Sequence, residues 1–110
     1  MKESIYKIEY LEAEAIRRIT TTFQPEKIIL FGSYIYGNPS YDSDLDILIE
    51  FKNIPNKRKL VIDIRKQFKD FPVAKDILVI AQDEIEAFKE KKWTVYSNAL
   101  EKGKVVYEKK

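Results

Sequence analysis

The sequence predicts an α/β domain, a small sheet of three or four strands with helices packed against it. Helix-like and strand-like periodicities alternate along the chain, the strand-like runs are short and strongly apolar, and turn residues fall between them. Taken in order, residues 4–23 place Ile5, Ile8, Leu11, Ala15, Ile16, Ile19 and Phe23 at helical spacing, and Pro25 stops that helix. The run Ile28 to Phe31 ends in Gly32 and reads as a strand buried on both faces. Residues 33–37 suit one helical turn, with Ser33 as N-cap and Gly37 closing it. The segment "NPSYDS" is a loop by its turn residues. In "DLDILIEF", Leu45, Ile47, Ile49 and Phe51 face one way, and Asp44, Asp46, Leu48 and Glu50 the other. Between Lys57 and Phe71, Val61, Ile64 and Phe68 form a helical stripe supported by Leu60 and Phe71. "VAKDILVI" is a third strand, in which Asp76 shares a face with Leu78 and Ile80. One or two helices ending at Gly103 follow, and "KVVYE" is a short last strand. The order αβ(α)βαβα(β) fits a single domain over residues 1–110, with helices on one face of the sheet or on both.

Composition narrows the chemistry. A hydrophobic content of 45% allows a true core, and 35% charged residues imply a densely ionic surface. The net charge of +2 gives no strong field, so tight non-specific nucleic-acid binding is not expected. The absence of cysteine removes disulfides, thiol nucleophiles and thiolate metal sites. The absence of histidine removes the Ser-His-Asp triad and the usual zinc ligands. Any metal or proton chemistry must therefore rest on carboxylates. The N-terminus has no signal-peptide pattern and no run is long enough to span a membrane, so the expected location is the cytoplasm. Apolar helix faces leave a homo-oligomer open.

Two motifs stand out. Asp44 and Asp46, at i and i+2, project from one face of their strand, and Asp76 lies on a similar face of a later strand. Carboxylates this close disfavour joint ionisation, and a cation relieves the repulsion. Hard oxygen donors favour Mg²⁺ or Mn²⁺. Gly32-Ser33, between a strand and a helical turn, lets backbone approach a ligand closely and suits phosphate oxygens. Either motif alone is ordinary turn chemistry, and neither a Walker loop nor a G-x-G-x-x-G fingerprint is present.

Together they read Gly32-Ser33, ten residues, Asp44-x-Asp46, then Asp76 on a later strand. This order resembles the nucleotidyltransferase superfamily typified by DNA polymerase β. The stretches "PEKIILFGSYIYG", "DSDLDILI", "VAKDILVI" and "YSNALEKGKVVYE" look like its branch of minimal nucleotidyltransferases, over residues 16–108. The resemblance implies a polymerase-β-like fold. It also implies that Gly32 and Ser33 hold the β- and γ-phosphates of a nucleoside triphosphate. Asp44, Asp46 and Asp76 would bind Mg²⁺, with Asp76 also helping to activate the attacking hydroxyl. The implied reaction transfers NMP, foremost AMP from ATP, to a hydroxyl and releases pyrophosphate. In this branch the implied partner is a HEPN-type toxin, the acceptor a tyrosine of that toxin and the role that of an antitoxin. A binding-only antitoxin and a transferase acting on a small molecule are the alternatives. Many members carry Arg directly after Gly-Ser where this chain has Tyr34; Lys75, Arg58 and Lys59 are the candidates to replace that charge.

The remaining singled-out residues read more simply. Tyr36 and Tyr41 flank the loop before the acids, and Tyr41 is expected to pack its own loop rather than a base. Trp93, Tyr96 and Leu100 are expected in the core, and Lys89 to Trp93 on a solvated face. "NKRK", at residues 56–59, places positive charge at a helix start against the macrodipole, which hints at an anion contact such as phosphate.

Overall fold

Four strands form one mixed sheet in the order β3-β2-β1-β4. The computed structural model describes residues 6–37, 43–91 and 94–110. Helix α1 (Ile8–Thr22) leads to β1 (Lys27–Phe31), a single-turn helix α2 (Ser33–Tyr36) and β2 (Leu45–Phe51). Then come α3 (Lys57–Gln67), β3 (Lys75–Ala81), a 3₁₀ turn (Gln82–Glu84), α4 (Ile85–Glu90), α5 (Val95–Lys102) and β4 (Lys104–Glu108). β1 pairs antiparallel with both β2 and β4, whereas β2 and β3 run parallel. The β2–β3 link is long enough for a helical crossover, as parallel pairing requires.

Helices cover both faces of the sheet, which settles the choice that the strand pattern left open. On the first face Leu11, Ala15 and Ile19 of α1, with Ile64 of α3 and Phe68 just beyond it, meet Ile28, Leu30, Leu45, Ile47, Ile49, Ile77 and Val79. On the second, Ile29, Phe31, Leu48 and Ile80 pack with Ala99 of α5 and the half-buried Ile85, Phe88, Tyr96 and Leu100. The alternation of β2 therefore feeds two cores. The apolar run of β1 is explained by its place between neighbours on both sides and helices on both faces. At the far end of β2, Glu50 is buried on the second face and accepts a hydrogen bond from Gln82 Nε2 at 3.1 Å.

Several element ends differ from the sequence reading. Helix α1 begins at Ile8, and Ile5 lies outside the described residues. Helix α3 stops at Gln67 instead of running to Phe71. The chain turns at Asp70, whose φ is +64°, and Arg18 Nη1 donates to the carbonyls of Gln67 (3.2 Å) and Lys69 (2.8 Å). That guanidinium also lies over the Phe71 ring and satisfies acceptors that a helix end leaves unpaired. Ser33 is not the cap of α2 but its first residue; Gly32 is the N-cap, and no side chain caps that turn. Gly37 closes it in the left-handed region, as expected. The expected helical region after β3 is divided into a 3₁₀ turn, α4 and α5, with Gly103 ending α5. Tyr96 stacks on Phe88 with ring centroids 4.3 Å apart, in keeping with core packing, while Trp93 lies outside the described residues.

Candidate active site

The register brings the two motifs to one end of the sheet. Asp46 pairs with Phe31, the last residue of β1, and on its other side with Asp76 of β3. Gly32 follows Phe31 directly, so the Gly-Ser turn rises beside Asp46. Asp44 is exposed and sits one residue before β2, not on it as the sequence suggested. Asp76 is exposed near the start of β3. Asp46, Asp76, Leu48 and Ile80 share the second face, where α4 and α5 cover the apolar pairs and leave the acids at the open end.

Gly32 and Asp46 are in direct contact. A Cβ added to Gly32 would collide with the Asp46 carboxylate. Gly32 also has φ +88° and ψ −167°, a region essentially reserved for glycine. Its carbonyl accepts from the N–H groups of Ile35 and Tyr36, both at 3.0 Å, which folds α2 back over the strand end. Residue type at this position is thus set twice, once by the backbone and once by the acid packed on it.

The electrostatics agree with this convergence. Asp46 has its pKa pushed up to about 6, first by burial and then by the negative charges of Asp76 and Asp44. Three carboxylates therefore feel one another at this end of the sheet. Among the described residues, no three His, Cys, Asp or Glu side chains are set in metal-chelating positions. The chemistry of the donor set nonetheless fits a hard divalent cation, because each acid offers oxygen ligands and the mutual repulsion favours added positive charge.

The basic residues considered near the triphosphate separate clearly. Lys75 pairs with Leu45 and stands at the acid end of the sheet. Arg58 and Lys59 begin α3, after the opposite end of β2, so they cannot stand in for a charge beside Gly32-Ser33. Two of the three cations of "NKRK" meet the chain's own carboxylates. Lys57 bridges Glu84 at 3.2 Å and Lys59 bridges Asp63 at 2.8 Å. Asn56 caps α3 by accepting from the Lys59 N–H. Tyr34 is not an exposed substitute for arginine, since its ring is buried in the first core. Its hydroxyl has no hydrogen-bond partner among the described residues, and burial with Tyr6 nearby pushes its pKa up. Tyr41 and the loop before Ser43 lie outside the described residues. One feature of this end escaped the sequence reading: Tyr6 and Tyr10 stack on each other there. Their i, i+4 spacing was the available signal.

Comparison with known proteins bears on the same region. Residues 14–110 match the family described as Polymerase beta, Nucleotidyltransferase. The protein adenylyltransferase MntA of Thermococcus cleftensis is 33% identical over 58 residues, 53% of this chain, and the match spans only 59% of that relative's own length. The "Putative protein adenylyltransferase MJ0604" of Methanocaldococcus jannaschii is 36% identical over 88 residues, 74% of this chain and 78% of the relative. A crystal structure of a putative nucleotidyltransferase from Sulfolobus solfataricus superposes with a TM-score of 0.54 at 24% identity, covering 74% of this chain and 75% of the other, a likeness of fold. With the motif order, the register and a family match over most of its length, the chain belongs to the polymerase beta nucleotidyltransferase family.

Proposed function

We propose that this chain is a Mg²⁺-dependent nucleotidyltransferase that moves AMP from ATP to a protein hydroxyl. The observation that carries the reading is the contact of Gly32 with the Asp46 carboxylate, beside Asp44 and Asp76. A triphosphate lying over the Gly-Ser turn is within reach of the acids, because Gly32 abuts the Asp46 carboxylate. Gly32 and Ser33 present backbone N–H groups and a hydroxyl to the phosphates. Asp44, Asp46 and Asp76 are the residues that would hold the cation, which when bound would supply positive charge against the triphosphate and the departing pyrophosphate. Asp76, exposed near the start of its strand, takes the proton of the attacking hydroxyl, and Lys75 adds a positive charge at the same end.

The names of the two adenylyltransferase relatives support a protein acceptor. Our reading extends to a HEPN-type toxin as partner and one of its tyrosines as acceptor, with the chain acting as antitoxin. The test uses ATP labelled on the α-phosphate, Mg²⁺ and a co-encoded partner. Label on the partner, lost with Asp46→Asn and with EDTA, is expected. Transfer of γ-label would mean a kinase. Neutralisation that survives Asp46→Asn without transfer would favour a binding-only antitoxin, and label on a small hydroxyl compound alone would favour the small-molecule alternative.

A further inference from the structure

The chain has seven tyrosines, of which six are described. Tyr34, Tyr96 and Tyr107 are buried or half-buried. Tyr6, Tyr10 and Tyr36 are exposed, at 43%, 50% and 48%. All three exposed tyrosines lie at the acid end of the molecule. Tyr36 ends α2, four residues after Gly32. Tyr6 is close enough to Tyr34 to perturb it, and the first turns of α1 are tied to the start of β4 by the Lys104–Glu12 ion pair at 2.7 Å. Lys104 itself pairs with Leu30, next to the end of β1.

Tyr6 and Tyr10 form a pair, with ring centroids 6.1 Å apart and planes 25° apart. Each ring limits the motion of the other while both remain open to solvent, so less side-chain entropy is lost when either hydroxyl enters a site. Tyr10 belongs to α1, which packs on the first face of the sheet through Leu11, Ala15 and Ile19, whereas Asp46 and Asp76 pair on the second face with Leu48 and Ile80. The sheet thus stands between the pair and its own acids, while both exposed rings are open to a second molecule. Tyr36 is held on the turn that its own site uses.

We propose that the chain adenylylates a second copy of itself, with the Tyr6–Tyr10 pair as acceptor. This rests on the nucleotidyltransferase reading above and names an additional acceptor for the same site. A bond forms between a tyrosine Oη and the α-phosphorus of ATP. The bond from that phosphorus to the bridging oxygen of the β-phosphate breaks, pyrophosphate leaves with the electron pair, and the phenolic proton passes to Asp76 of the transferring molecule.

The test incubates the purified full chain with ATP and Mg²⁺ and follows intact mass and peptide maps. One adenylyl group should appear on Tyr6 or Tyr10, at a rate per molecule that rises with protein concentration. The double variant Tyr6→Phe/Tyr10→Phe keeps the stacked rings and should lose the adduct. Mixed with Asp46→Asn, which keeps both tyrosines, the double variant should label only the Asp46→Asn chain. An adduct elsewhere, a concentration-independent rate, or no label on Asp46→Asn in the mixture would overturn the proposal. If the wild type labels proteins of a cell lysate in an Asp46-dependent way but never itself, self-transfer falls and the transferase reading stands. Label on neither overturns both.

Discussion

At the scale of single residues, the tightest constraint is at Gly32. Its backbone region costs a non-glycine residue about 1–3 kcal/mol, and any Cβ there strikes Asp46. Gly32→Ala should therefore lower stability by about 1–3 kcal/mol in urea unfolding and reduce nucleotidyl transfer more than the stability loss explains. Tyr34 predicts the opposite direction. Its hydroxyl is buried without a partner among the described residues, so Tyr34→Phe removes a desolvation penalty of up to about 1 kcal/mol and should leave the melting temperature unchanged or raised. Asp46 gives the pH dependence. Its folded pKa of about 6 lies above its ordinary 3.8, so the metal-free native state holds the proton more firmly than the unfolded chain does. Metal-free stability should fall as pH rises from about 4 to about 6 and level off above that. Asp46→Asn should flatten that slope and gain about 1 kcal/mol at neutral pH, a figure reduced for the partial exposure of the site. Denaturant curves between pH 4.5 and 7.5, roughly the span of this titration, would read both effects.

At the scale of elements, helix ends were decided by contacts that no local pattern announces. Val61, Ile64 and Phe68 continue a stripe to Phe71, yet α3 stops because Arg18, 49 residues earlier than Gln67, takes up its last carbonyls. Arg18→Ala should fray this end and cost about 1–2 kcal/mol, the range of a charged hydrogen bond that is partly exposed. Hydrogen exchange at Phe68 and Phe71, whose amides donate to Arg65 and Phe68 carbonyls, would rise first. The alternation in β2, by contrast, was legible from the sequence, because a two-residue period maps directly onto two faces. Only the helices on both sides made Leu48 as buried as Ile47.

At the scale of the whole molecule, the site is a product of register. Asp44-x-Asp46 and Gly32-Ser33 were recognisable by spacing, but their contact depends on β1 meeting β2 antiparallel with Phe31 opposite Asp46. Parallel pairing of β2 with β3 then sets Asp76 beside Asp46. A cation that binds only the folded site stabilises it by mass action, about 2.7 kcal/mol at a hundred times its dissociation constant. Mg²⁺ should accordingly raise the melting temperature of the wild type and leave Asp46→Asn unmoved, a direct thermal-shift measurement.

The sequence by itself determined the element order, the two strand faces, the absence of cysteine and histidine and the motif spacing, because each is carried by residue type at short range. It left open whether helices lie on one face or two, and which of Lys75, Arg58 and Lys59 stands near the acids. It held no sign that Tyr34 is core or that the exposed tyrosines gather at one end. The tertiary structure decided these, because strand register and crossover direction join residues far apart in sequence, and side-chain periodicity is identical for either end and either direction of a strand.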